Sequence, residues 1–278
     1  MEISIKREKK KKSAVIPILL IAGVLLCLYF TFFNNKEEAN IEDKDGDNVI
    51  LTPEDIVVEE DVVIEGPIYE ELFPVIEKQQ AYVMAPKNIN KKNPPTLILY
   101  SHGSNTTVTA NMDDQFMKDL QQYGIFFTKH NYIFSASNQH GVNWGNTASI
   151  QDTINLKNWV GQNYTIQPKI FLIGFSMGGL PTLNFATTYP ELIGKIALLA
   201  PTTKSADWNQ SRADKLKEID IKLWHGNKDV NVPYSYSVSF VKKMEGYGVN
   251  IEFITLEGKG HFDIDTQYME EILQFFTN

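Results

Sequence analysis

The chain has 278 residues, 43% hydrophobic and 22% charged, with 17 glycines, 12 prolines and a single cysteine. That composition excludes a collagen-like repeat, a disulfide-stapled scaffold and a largely disordered chain. A net charge of −8 argues against a nucleic-acid binder, and no basic face stands out that would track a phosphate backbone.

In chain order, residues 1–12 form a basic tip, with six Lys or Arg against two Glu. Residues 13–33 then run for 21 positions without a charge. A helix of that length, at roughly 1.5 Å per residue, spans a hydrocarbon layer of about 30 Å. Pro17 falls near its start, where a missing N–H costs little, and Tyr29, Phe30, Phe32 and Phe33 suit the far interface. A cleaved signal would need a shorter apolar core and a small-residue cleavage site. A lipoprotein signal would need small residues before Cys27, which Val24, Leu25 and Leu26 precede instead. The expectation is an uncleaved transmembrane signal anchor. Lys6, Arg7 and Lys9 to Lys12 would stay in the cytoplasm, and the body would lie outside it.

Residues 34–67 read as an acidic, solvated linker, part of a stretch (36–71) with fourteen Asp or Glu against two Lys. Within it, residues 43–54 resemble an EF-hand loop, with Asp43, Asp45, Asp47 and Glu54 spaced to wrap Ca²⁺. Asn48 stands where such a loop has Gly, and no amphipathic helices bracket it. A plain acidic tether is therefore the preferred reading, and no metal or other cofactor is assigned.

The body, residues 68–278, alternates short apolar runs with helical patterns. Strands are predicted over 96–100, 132–136, 170–173, 195–199, 221–224 and 251–256. Between them, Met112, Phe116, Leu120 and Tyr123 predict a helix ending at Gly124, and further helices fall over 149–163, 177–188, 208–218 and 234–247. A last helix carries the apolar stripe Tyr268, Met269, Ile272, Leu273 and Phe276. Such alternation predicts an α/β fold, a mostly parallel doubly wound sheet with helices on both faces. Ligand sites in such sheets lie beyond the carboxyl ends of the strands.

The chemistry-bearing residues fall there. Gly174-Phe175-Ser176-Met177-Gly178 is a G-x-S-x-G turn between a predicted strand and a predicted helix. A serine hydroxyl needs a base, and the base needs an orienting carboxylate. His261 follows the last strand and Asp229 follows the strand over 221–224, with Asp207 and Asp263 as rival carboxylates. His102 and His225 are expected to brace loops, His130 and His140 have no assigned role, and Trp144 is placed either in packing or beside the substrate cleft.

Gly-Phe-Ser-Met-Gly-Gly, His-Gly-x-x-Asp and Gly-x-Gly-His-Phe together resemble the α/β-hydrolase-fold serine hydrolases, over roughly residues 68–278. The resemblance implies Ser176 as nucleophile, His261 as base and Asp229 as its partner. It also implies an oxyanion hole from the N–H groups of Met177 and Ser104, the latter in Ser101-His102-Gly103-Ser104. Only about twenty residues (200–219) separate two strands where many members insert a lid, so an open cleft is expected. The chain then reads as a membrane-anchored extracytoplasmic serine hydrolase, a carboxylesterase acting on small or exposed esters. A peptidase or amidase of the same fold, or a non-catalytic binding module, is the alternative.

Overall fold

A computed structural model describes residues 41–42, 48–49 and 68–278. The chain divides into two compact units, Met1–Ile64 and Glu65–Asn278. In the first, Ile41–Glu42 pairs antiparallel with Asn48–Val49. The expected anchor and most of the calcium-like loop lie outside the described residues. Among those described, no helix is long and apolar enough to cross a membrane.

The second unit is built on a nine-stranded sheet. It opens with β1 (Tyr69–Leu72), β2 (Val75–Ile76) and β3 (Gln79–Pro86), followed by β4 (Thr96–Ser101). Then come α1 (Gln115–Thr128), β5 (Tyr132–Ser137), α2 (Thr147–Asn163), β6 (Ile170–Phe175) and α3 (Gly179–Thr188). The chain continues through β7 (Ile193–Leu199), a one-turn α4 (Gln210–Ala213) and β8 (Asp220–Gly226). It ends with α5 (Tyr234–Gly246), β9 (Ile251–Leu256) and α6 (Met269–Thr277). Spatial order is β9-β8-β7-β6-β4-β5-β3-β1, with β2 paired to β3. From β9 to β5 every pairing is parallel, whereas β3 runs antiparallel to β5, β1 and β2.

Alternating strand residues divide into two cores, as a sheet covered on both faces requires. Leu97, Leu99, Leu172, Leu198 and Leu223 pack with Leu156 and Val160 of α2, Phe185 of α3 and Phe240 of α5. Ile98, Tyr100, Ile173, Leu199 and Trp224 pack with Met117, Leu120, Tyr123 and Phe127 of α1 and Ile272 and Phe276 of α6. Side chains cap three of the helices: Asp114 accepts from the Phe116 N–H at 2.8 Å, Asn146 from the Ser149 N–H at 2.9 Å and Asn209 from the Arg212 N–H at 3.0 Å.

Three local expectations are corrected. Helix α1 does not stop at Gly124 but runs to Thr128. Gly124 faces Met84 so closely that an added Cβ would lie 2.9 Å from the Met84 Cβ, which makes it a packing glycine. The helix expected over 208–218 is one α-helical turn, α4, flanked by the 3₁₀ turns Ser205–Asp207 and Asp214–Leu216. Strands β1 to β3, absent from the sequence reading, supply the antiparallel edge.

Candidate active site

Ser176 sits at the junction of β6 and the 3₁₀ turn Ser176–Gly178 that leads into α3. Its φ of 55° is a left-handed conformation, uncommon for a residue with a side chain and characteristic of a sharp strand-to-helix turn. The bend is possible because Gly178 presents no side chain: a Cβ there would stand 2.0 Å from the Ser101 carbonyl oxygen. The Ser176 carbonyl accepts from the Thr202 N–H at 2.7 Å, which ties the turn to the loop after β7.

His261 reaches this hydroxyl from the loop after β9, with Nε2 2.9 Å from the Ser176 Oγ and Nδ1 2.6 Å from the Asp229 Oδ2. An ionised carboxylate only accepts, so Nδ1 carries the ring proton and Nε2 turns its lone pair to the Ser176 hydroxyl. That is the tautomer in which the imidazole can take a proton from the serine. The Phe175 ring packs beside it, 5.1 Å between centroids. All three residues are nearly buried, Ser176 being 8% exposed.

Asp229 is held from several sides. Its Oδ1 accepts the N–H groups of Asn231 and Val232, each at 2.8 Å. Its Oδ2 also lies 3.1 Å from the His225 Nε2, which in turn lies 2.9 Å from the Val232 carbonyl oxygen. Both neighbours are acceptors, so His225 bears its proton on Nε2, while Nδ1 accepts from the Ser237 hydroxyl at 2.7 Å. Burial pushes the His225 pKa below the ordinary 6.5, opposed by the Val232 carbonyl and Asp229. A neutral His225 donating to Asp229 thus fixes the carboxylate without adding a charge. Of the rival carboxylates, Asp263 accepts from the Gly260 N–H at 2.7 Å within its own loop, and Asp207 lies in a 3₁₀ turn before β8.

His102 braces loops as well. Its Nδ1 is 2.7 Å from the Gly103 carbonyl and its Nε2 2.9 Å from the Asn138 carbonyl, linking the turn after β4 to the loop after β5. Burial lowers its pKa, against the pull of these two carbonyls. His140 pairs with Asp152 at 2.5 Å, and His130 lies against the Phe126 ring, 5.1 Å between centroids.

A cavity of about 300 Å³ opens beside Ser176 and His261. Ser104 and Trp144 line it, whereas Met177 is buried and is not among the lining residues. Tyr236 and Phe262 complete an aromatic rim that sequence reasoning missed, because an exposed aromatic carries no periodic signal. The arrangement is suited to nucleophilic attack on a carbonyl carbon by an activated hydroxyl.

Comparisons with known proteins agree with this fold. A thermostable esterase superposes with a TM-score of 0.59 at 18% identity, covering 85% of this chain and 69% of that one. The S-formylglutathione hydrolase of Staphylococcus aureus gives 0.58 at 18% identity, covering 76% and 96%. In sequence, the homoserine O-acetyltransferase of Corynebacterium glutamicum is 30% identical over 131 residues, which is 45% of this chain and 33% of that protein. The chain therefore spans about a third of that relative's length. Residues 78–278 match the phospholipase/carboxylesterase pattern of the α/β-hydrolases, and the chain belongs to that family.

Proposed function

We propose that this protein is a serine carboxylesterase whose nucleophile is Ser176. The observation that carries the reading is the continuous relay from Asp229 through His261 to the Ser176 hydroxyl, with contacts of 2.6 and 2.9 Å. As the Ser176 Oγ bonds to the ester carbonyl carbon, its proton passes to the His261 Nε2, and the carbonyl oxygen becomes an oxyanion. The N–H groups of Met177 and Ser104 are its proposed donors, each worth roughly 3 kcal/mol in comparable sites. Collapse breaks the bond to the alcohol, which leaves with the His261 proton, and an acyl-enzyme remains. Water then attacks, gives its proton to His261, and releases the carboxylic acid as the Ser176 hydroxyl is restored.

The short connection between β7 and β8 and the exposed rim favour small or protruding esters over buried acyl chains. The acyl group passed to an alcohol instead of water would be transfer, the activity in the Corynebacterium relative's name; a rim open to water favours hydrolysis. The test is a panel of esters graded by acyl length, assayed on the wild type and Ser176→Ala, with fluorophosphonate labelling alongside. Hydrolysis and labelling that vanish together in the variant support the reading. A folded wild type that neither labels nor hydrolyses points to a non-catalytic binding module.

The uncharged run at 13–33 behind a basic tip supports a membrane-anchored protein with its hydrolase unit outside the cytoplasm. Protease treatment of intact cells tests this: digestion of the hydrolase unit is expected, and its protection would reverse the orientation.

A further inference from the structure

The cavity beside Ser176 has walls of two kinds. Trp144, Tyr236 and Phe262 line it while remaining 49%, 54% and 66% exposed, three large aromatic side chains left open to water. The remaining lining combines neutral hydrogen-bonding side chains, among them Ser104, Asn105, Thr106, Thr202 and Asn231, with the apolar Phe175, Val232 and Pro233. Among the described residues, none that lines the cavity is Lys, Arg, Asp or Glu. An anionic or cationic substrate would find no counter-charge. A long hydrocarbon chain would cover hydroxyls and amides without replacing their hydrogen bonds, a cost of about 1–3 kcal/mol for each group left unpaired. A ligand with an apolar face and a belt of hydroxyls meets both kinds of wall. A sugar ring has that shape, with C–H bonds on its faces and hydroxyls on its edge.

The most constrained of the aromatics is Trp144. Its φ is 49°, left-handed for a bulky residue, in a loop where Gln139, His140, Gly141 and Gly145 also have positive φ. Asn143 Oδ1 accepts from the Gly145 N–H at 2.8 Å, and Asn184 Nδ2 donates to the Gly145 carbonyl at 2.6 Å. Arg212, stacked 4.0 Å over the Trp208 ring, donates to the Asn184 Oδ1 at 2.5 Å. Asn184 of α3, Arg212 of α4 and Trp208 just before α4 thus form a chain that fixes the backbone beside Trp144, and the ring stands half exposed at the mouth. Strain held in place around an exposed aromatic is the mark of a prepared contact surface.

We propose that the scissile ester is an O-acyl group on a neutral sugar, with Trp144 as the stacking platform and Asn184 and Arg212 as positioning residues for it. The inference rests on the esterase reading of Ser176. The reaction breaks the bond between the acyl carbon and the sugar oxygen, adds water, and yields the sugar hydroxyl and a carboxylic acid.

The test compares 6-O-acetylglucose with cyclohexylmethyl acetate, a ring ester of similar shape without hydroxyls, and with ethyl acetate and ethyl decanoate, on the purified full chain. The expected result is a kcat/KM for the sugar ester at least about tenfold above that for the cyclohexyl ester, because unmet hydroxyl contacts penalise the latter. Trp144→Ala should cut the ratio of sugar ester to ethyl acetate about tenfold through KM, and Asn184→Ala, outside the cavity, should move it the same way. Equal or better turnover of cyclohexylmethyl acetate or ethyl decanoate overturns the sugar assignment and leaves an esterase. Failure of the folded wild type to cleave any ester overturns the Ser176 reading, and the sugar assignment with it.

Discussion

Asp265 lies four residues beyond His261, and its Oδ1 accepts from the Tyr123 hydroxyl at 2.8 Å and the Tyr100 hydroxyl at 3.3 Å. It ties the His261 loop to α1 and to the strand before the Ser101–Ser104 turn. Burial raises its pKa from 3.8 to about 6; the Asp119 charge adds to this, and the two hydroxyls oppose it. A raised acid holds its proton more tightly in the folded chain than in the unfolded one. Its contribution is therefore complete below pH 3.8 and is lost as pH rises through about 6. Between pH 5 and 8, where the unfolded carboxyl is already ionised, the loss comes to about 1.4 kcal/mol. Asp265→Asn keeps an acceptor for Tyr123 and abolishes the titration. Urea denaturation of both proteins across that range should show stability shifting toward the variant by about 1.4 kcal/mol as pH rises. His102 and His225, held below 6.5 by burial, act oppositely and cost stability as pH falls below that value. Both proteins share them, so they cancel in the difference. A difference that stays flat from pH 5 to 8 would refute the argument.

Two further predictions concern the turn and the relay. Gly178→Ala places a methyl 2.0 Å from a backbone carbonyl that cannot yield, so a loss of about 3 kcal/mol or more is expected in thermal unfolding. Gly246→Ala, with nothing within 4 Å of its Cβ, is the control and should be neutral or stabilise by up to about 1 kcal/mol. Asp229→Asn preserves the shape of the acid but changes what it offers the His261 Nδ1. Ester hydrolysis should fall by about 10⁴ in kcat with the fold intact, and a loss under tenfold would remove Asp229 from the relay.

The parallel half of the sheet was legible because strands buried on both faces read as unbroken apolar runs. The antiparallel edge was not. Strand β1 contains Glu70 and Glu71, which by charge alone extend the acidic stretch. In the fold they accept hydrogen bonds from the Tyr164 and Tyr82 hydroxyls at 2.6 and 2.7 Å. Partners 94 and 11 residues away leave no local mark on a half-buried edge strand. The same limit applies to the acid of the relay. Asp207, Asp229 and Asp263 all occupy loops that precede or follow strands near the carboxyl end of the chain, and sequence spacing alone does not choose among them. The choice is made by β8 lying parallel beside β9, in register from Ile221 with Ile251 to Gly226 with Leu256. That register brings the loop after Gly226 against the loop before His261, so closely that a Cβ on Gly226 would stand 2.2 Å from the Lys259 carbonyl oxygen. A bare backbone at 226 is thus what lets the two loops touch and puts the 229 carboxylate within a hydrogen bond of the 261 imidazole.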